Sequence, residues 1–252
     1  MKKYIAYFDY LGFRQFIENN DLIEQNRGMS HIWREIEQAL SKEETIIAKS
    51  GAAIANLDKS KINCINFSDT IVFWTNDDSI ESLTEILEVT FIFNWRTNTY
   101  FFPVRGALVH GEIEAPKFEH ISESKTSYNI NSVYGKGLIT AYEKAESQEW
   151  AGTVLDNSVY YKIKEFSPIL DLDLEKKTIP HFIPYKKGIL EEKEYAFRLM
   201  DGSINTKTFK NRSKTIKENF ENYNKGPLDS RTLIKYQNTI DFLKLVIDPS
   251  LD

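Results

Sequence analysis

The sequence predicts an α+β fold, a largely antiparallel sheet flanked by helices. Three observations predict it. Short apolar, aromatic runs bounded by turn residues read as buried strands. Two of them, 61–67 and 70–74, are separated only by Ser68-Asp69, which is hairpin grammar. Segments of helical period stand between the strands without the regular strand–helix alternation of a parallel sheet.

Lys3 to Asp9 (KYIAYFD) is the first strand, and Leu11-Gly12-Phe13 turns the chain into a helix from Arg14 to about Asn20. A second helix is expected from Ile32 to about Lys49, with Ile32, Trp33, Ile36, Ala39 and Leu40 at helical spacing. After the hairpin, Asp78 reads as an N-cap with Glu81 reaching back to it. Ile80, Leu83, Ile86, Leu87 and Phe91 line one face of the helix that follows, and Pro103 ends that stretch. Val104 to Ile113 is a strand, Pro116 to Asn131 a polar loop or hairpin, and Leu138 to Ser147 a helix. Thr153 to Leu155 is a short strand, with Asp156 placed to cap a helix after it. Leu170–Leu174, Phe182–Tyr185 and Tyr195–Leu199 read as added strands. Arg231 to Ile247 reads as a terminal helix with Leu233, Tyr236, Ile240, Leu243 and Ile247 on one face. No Gly/Ser/Pro-rich linker divides the chain. Residues 1–252 are therefore read as one domain, with a core over 1–165 and a C-terminal elaboration over 166–252.

The 252 residues are 41% hydrophobic and 27% charged, enough for one substantial core. The net charge of −5 argues against a nucleic-acid-binding surface. Lys207, Lys210, Arg212, Lys214 and Lys217 alternate with polar and acidic residues and read as a solvated face. The apolar stretch after Met1-Lys2-Lys3 is too short for a signal peptide or a membrane span, and a cytoplasmic protein is expected. Cys64, alone in an apolar run, reads as a small core residue. The four histidines have no zinc-site spacing.

Two aspartates carry the chemical signal. Asp9 ends the first strand and Asp69 sits at the hairpin tip. If those strands are neighbours, the carboxylates converge at one end of the sheet. Phosphoryl chemistry uses such a pair to hold two divalent cations, Mn²⁺ or Mg²⁺. The backbone N–H groups of Gly12 and Phe13, at a helix start, would offer a seat for a triphosphate. Each aspartate alone would also suit a plain turn or cap.

Four segments, in order over residues 1 to about 150, resemble class III nucleotidyl (adenylate/guanylate) cyclases. Phe8-Asp9-Tyr10-Leu11-Gly12-Phe13 is similar to the metal-binding strand and turn of that family, and Phe67-Ser68-Asp69-Thr70 to its second metal aspartate. Val104 to Glu112 (VRGALVHGE) resembles the family's following strand; Arg105 and Gly111 match, and Gly106 falls one residue early. Val133-Tyr134-Gly135-Lys136-Gly137-Leu138 resembles the entrance to the late catalytic helix. The resemblance implies a ferredoxin-like βαββαβ core and attack of a nucleotide's 3′-OH on its own α-phosphate, giving a cyclic monophosphate and pyrophosphate. It implies two metals on Asp9 and Asp69, with the Tyr10 carbonyl as an extra ligand. It also implies a head-to-tail homodimer with active sites at the interface.

The departures point to a subgroup. Where purine cyclases carry a base-reading lysine and aspartate, this chain has Ile65 and Ser132. The family's ribose-holding asparagine and transition-state arginine fall near Ile139 and Glu143. Arg105 or Lys144 could supply the missing cation, with Arg105 preferred because a strand-borne guanidinium grips phosphate bidentately. Lys136 is a further candidate nucleotide contact, set against a solvated turn lysine. This pattern resembles the stand-alone pyrimidine cyclases of bacterial Pycsar anti-phage systems. That resemblance implies UTP, or else CTP, as substrate and a cyclic product acting on a separate effector. A purine cyclase and a catalytically silent nucleotide-binding fold remain the alternatives.

Overall fold

The computed structural model describes residues 1–189 and 191–252. The chain runs β1 (Lys2–Tyr10), α1 (Phe13–Glu18), α2 (Leu22–Leu40), β2 (Thr45–Ile47), β3 (Ala53–Ala55), β4 (Asn63–Phe67), β5 (Thr70–Trp74), α3 (Ile80–Tyr100) and β6 (Val104–Glu112). It continues β7 (Lys117–Ile121), β8 (Ser127–Asn131), α4 (Lys136–Glu146), β9 (Thr153–Leu155), α5 (Asn157–Phe166) and α6 (Ile169–Lys177). It ends with β10 (Thr178–His181), β11 (Pro184–Tyr185), β12 (Gly188–Ile189), β13 (Glu194–Phe197), α7 (Thr206–Glu221) and α8 (Ser230–Leu243).

Seven strands form one sheet in the order β10-β13-β9-β6-β1-β5-β4, antiparallel except for the β6–β9 pair. β1 is central, and residues 4–8 are buried on both faces, which explains their continuous apolar run. Side chains alternate between the faces. Tyr4, Ala6, Phe8 and Tyr10 pack with residues of α2 and α3. Ile5 and Tyr7 pack on the opposite face with Ala141 and Ala145 of α4. Asp9 continues the second set, and the register places Arg105 directly opposite it on β6 and Thr70 opposite it on β5.

α4 lies close to the sheet because two glycines meet. A Cβ on Gly111 would come within 2.6 Å of the Gly137 Cα, and one on Gly137 within 2.7 Å of the Gly111 carbonyl carbon. A third cluster, with Leu11, Trp150, Val154, Ile216, Phe220, Ile240 and Phe242, joins α7 and α8 to the sheet's far half.

Several boundaries differ from expectation. The second helix begins at Leu22, where the Asp21 carboxylate accepts from the amides of Ile23 and Glu24, and ends at Leu40. Lys42 and Glu43 take left-handed backbone conformations, and Thr45–Ile47 pairs with Ala53–Ala55 instead of extending the helix. The cap of α3 is Ser79, not Asp78; Asp77 braces it by accepting from the hydroxyls of Ser79 and Ser82. The segment 170–174, read as a strand, belongs to a helix. Leu170 and Leu174, both buried, stand four apart as a helix face requires. In the region read as a strand over 182–185, pairing runs over Thr178–His181 and Pro184–Tyr185. The lysines read as a solvated face lie on α7, a helix the sequence did not suggest; Lys207, Lys210, Lys214 and Lys217 are exposed on it. The last helix stops at Leu243, Leu233 is exposed, and Thr239, Ile240, Phe242 and Leu243 make its buried face. Burial pushes the Cys64 thiol up to about 12, which fits an inert packing residue.

Candidate active site

The strand register builds the site. β1 ends beside the β4–β5 hairpin, and the Tyr10 amide donates to the Asp69 carbonyl at 3.0 Å. Ser68 takes a left-handed conformation (φ 55°) in the two-residue turn that carries Asp69. Asp9 and Asp69 therefore line one cavity of about 350 Å³, together with Tyr10, Gly12, Phe13 and Arg105.

Arg105 is buried, not a surface residue, and both Nε (3.1 Å) and Nη2 (2.8 Å) donate to Oδ2 of Asp9. It also donates to the Glu146 carbonyl at 3.2 Å and to the Glu146 carboxylate. Burial raises the Asp9 pKa, the Arg105 charge lowers it, and the Asp69 carboxylate raises it again; the net is upward. The two carboxylates thus feel one another across a poorly solvated gap. Among the described residues, the Asp69 carboxylate has no hydrogen-bond or ion-pair partner, and Asp9 offers Oδ1 uncommitted.

This donor set fits magnesium or manganese, which take hard carboxylate oxygens and complete their shells with water and substrate phosphate. No group of three or more His, Cys, Asp or Glu among the described residues would hold a metal on its own. Such an ion would rest on Asp9 and Asp69, with substrate supplying further oxygens.

The Gly12 turn closes one side. Gly12 takes φ 79°, and a Cβ there would meet the Lys225 Cδ at 2.9 Å. Gly12 to Gln15, at the start of α1, line the cavity, but a six-residue helix adds little dipole. The Tyr10 side chain is buried away in an aromatic cluster with Phe93 and Phe102, so only its backbone belongs to the site.

The C-terminal part supplies a wall that sequence reasoning missed: Lys225, Arg231 and Lys235 line the same cavity. Burial pushes the Lys225 ammonium down to about 7. Its Nζ stands 3.9 Å from the centre of the Phe102 ring and donates to the Asn219 carbonyl, contacts that favour the charged form. The only sequence signal was Arg231 and Lys235 one turn apart beside a Gly226-Pro227 break.

Ile65 and Ser132 do come together, but in a second cavity of about 580 Å³ bounded by Asn66, Phe67, Trp74, Lys117 and Asn131. That cavity shares no lining residue with the Asp9 cavity. Lys136, the first residue of α4, is exposed and lines neither. Lys144, put forward as a catalytic cation, is not brought to the aspartates. It donates to Asp156 at 2.8 Å and to Glu194, a half-buried ion-pair network on the β9–β13 side. Ile139 is exposed and lies with Tyr7, Phe67 and Tyr142 along an apolar groove.

No protein-family model matches the sequence, and no curated protein matches it. Solved structures do. The guanylate cyclase domain of RhGC from Catenaria anguillulae, in complex with GTP, aligns with a TM-score of 0.52 at 12% identity, over 78% of this chain and 95% of that one. The catalytic core of a rhodopsin-guanylyl cyclase with converted specificity, in complex with ATPαS, gives 0.52 at 12% identity over 78% and 94%. A dimeric guanylyl cyclase domain of the RhoGC fusion protein from the aquatic fungus Blastocladiella emersonii gives 0.51 at 11% identity over 78% and 93%. The fold is that of class III cyclase domains.

Proposed function

We propose that this chain is a nucleotidyl cyclase of class III type, acting as one unit over residues 1–252 and converting a pyrimidine nucleoside triphosphate, UTP ahead of CTP, to its 3′,5′-cyclic monophosphate. The observation that carries the reaction is the meeting of Asp9 and Asp69 at adjoining strand ends in one cavity of a cyclase fold. In the reaction the 3′-oxygen bonds to the α-phosphorus and gives up its proton. The bond from that phosphorus to the bridging oxygen breaks, and pyrophosphate leaves. Bound divalent cations would supply Lewis-acid activation of the hydroxyl and neutralise phosphate charge. Asp9 and Asp69 would hold them. Arg105 fixes the Asp9 carboxylate by two hydrogen bonds to one oxygen, which leaves the other oxygen aimed and free. The Gly12 and Phe13 backbone seats phosphate oxygens.

Pyrimidine choice is supported by Ile65 and Ser132, which share a cavity and offer neither a cation nor a carboxylate to a purine edge. That cavity and the Asp9 cavity are separate in one protomer, which supports a head-to-tail homodimer in which each active site takes one of each. Along the apolar groove that adjoins the Ile65/Ser132 cavity, Phe67, Ile139 and Tyr142 are exposed. The motif resemblance supports a cytoplasmic signalling role in anti-phage defence, with the product acting on a separate effector. No described helix is long and apolar enough to cross a membrane.

A silent nucleotide-binding fold is the second reading, favoured by the Arg105–Asp9–Glu146 ion pairs that already occupy one metal-site carboxylate. A purine cyclase is a third, favoured by the GTP and ATPαS complexes of the similar structures. Incubating the protein with each of the four ribonucleotides, with and without Mn²⁺, separates these readings. A metal-dependent cyclic pyrimidine nucleotide is expected. Product from purines alone overturns the base assignment, and no product overturns the reaction.

A further inference from the structure

We propose that Lys235, with Arg231 one helical turn before it, is a polyphosphate clamp that holds the β- and γ-phosphates of the nucleotide, and then the departing pyrophosphate, in the same protomer as Asp9 and Asp69. The proposal rests on the reading of that cavity as a nucleotide triphosphate site, and adds residues from the C-terminal part of the chain to it.

α8 begins where the Asp229 carboxylate accepts from the Thr232 amide at 2.7 Å, after a Gly226-Pro227 turn with Gly226 at φ 91°. This start faces the first two turns of α8 toward the Gly12 loop, and both Lys235 and Arg231 line the cavity. The other cations there are committed. Arg14 pairs with Glu18 at 2.8 Å, Arg105 with Asp9 and Glu146, and the Lys225 Nζ donates to the Asn219 carbonyl. Asp229 is spent on its helix cap.

Lys235 is half-buried, yet among the described residues its ammonium makes no hydrogen bond or ion pair. Lys144, also half-buried, is by contrast paired with two carboxylates, Asp156 and Glu194. Arg231 has only a loose contact, 3.4 Å to Glu149.

Like charges converge around Lys235. Burial lowers the Lys235 pKa, and the charges of Arg105, Arg231 and Lys186 lower it further, with Glu149 opposing them. Such a cluster costs folding free energy and is relieved when an anion enters. The chemistry suits phosphate: an ammonium on a flexible stem follows a moving phosphoryl group, and a guanidinium grips oxygens in pairs.

The test is calorimetric titration of the full chain with inorganic pyrophosphate in Mg²⁺. Lys235→Ala and the stem-preserving Lys235→Met should each weaken binding ~10-fold or more, and Arg231→Ala less, as expected for losing charge-assisted hydrogen bonds. Lys235→Arg should stay near wild type. Lys244→Ala, which removes an exposed cation paired with Asp241 on the same segment, should leave binding unchanged. Removing a partnerless cation should leave the melting temperature equal or higher. Wild-type affinity in Lys235→Ala, no pyrophosphate binding by the wild type, an equal loss in Lys244→Ala, or a lowered melting temperature in both Lys235 variants would each overturn the clamp. Lys235-dependent pyrophosphate binding without nucleotide turnover would keep the clamp and remove the cyclase reading. Turnover with unchanged binding in Lys235→Ala would do the reverse.

Discussion

The two sides of the Asp9 cavity come from different parts of the chain and obey different rules. The side built from residues 1–165 is carboxylate-bearing and held by backbone register: Asp9 and Asp69 end adjoining strands, and Arg105 on the neighbouring strand fixes the Asp9 carboxylate. The side built from residues 225–235 is cationic and held by a helix cap and a turn. The first side resists movement because it is part of a seven-stranded sheet with β1 at its centre. The second side rests on α7 and α8 packing, through Phe220, Ile240 and Leu243. In the proposed phosphate site, the acids on the sheet are the fixed side and the bases on the packed helices the adjustable side.

The largest expected effect falls on the fixed side. Asp69 has no partner among the described residues, so Asp69→Asn should lower turnover by ~10²-fold or more while the melting temperature stays put. Full activity in that variant would remove Asp69 from the chemistry. Arg105→Ala should behave differently, because it strands the buried Asp9 beside Asp69. A stability loss of about 3 kcal/mol in urea denaturation is expected, along with lost activity. An unchanged urea midpoint would show that Arg105 does not compensate Asp9.

The adjustable side should show itself in pH. The Lys225 ammonium lies at about 7 in the folded chain against 10.5 when unperturbed. Between those values the unfolded chain holds more protons, so stability rises with pH across that window. Comparing wild type with Lys225→Met by denaturation at pH 7 and pH 10 should show a differential rise on the order of 2 kcal/mol, because the Phe102 ring and the Asn219 carbonyl favour the charged form. Equal pH slopes in the two proteins would mean that Lys225 stays charged throughout.

Gly137→Ala tests the seating of α4 against β6. The added methyl meets the Gly111 backbone and Ile5, and a loss of about 1–3 kcal/mol is expected in the same assay. No loss would mean that α4 can lift from the sheet freely. The smallest effect concerns the second cavity. The double change Ile65→Lys with Ser132→Asp should move relative turnover toward purines by ~10-fold, the scale of one or two good polar contacts. An unchanged preference would place base reading elsewhere.

How legible each side was follows from its physics. β1 and β5 are apolar runs and β4 a short half-buried strand joined to β5 by a two-residue turn, so their register, and with it the Asp9/Asp69 pair, could be anticipated. α4 and β6 were found for the same reason. The regions that misled are those where tertiary packing overrides local pattern. Leu170 and Leu174 suit a strand or a helix equally over five residues. Lys144 looks free in sequence because Glu194, fifty residues on, cannot be seen to reach it. Lys235 reads as an ordinary solvated helix lysine, and nothing local says that α8 faces the Gly12 turn. Arg105 was anticipated beside the aspartates, whereas its burial and its bond to Glu146 come from the α4 packing.

The most direct test of the central claim is a one-pot reaction of the wild-type protein with equal concentrations of ATP, GTP, CTP and UTP and Mn²⁺, read by mass spectrometry. The account predicts a single 3′,5′-cyclic pyrimidine nucleotide, cyclic UMP ahead of cyclic CMP, with one pyrophosphate released per product. Folded protein that leaves all four nucleotides intact would contradict it.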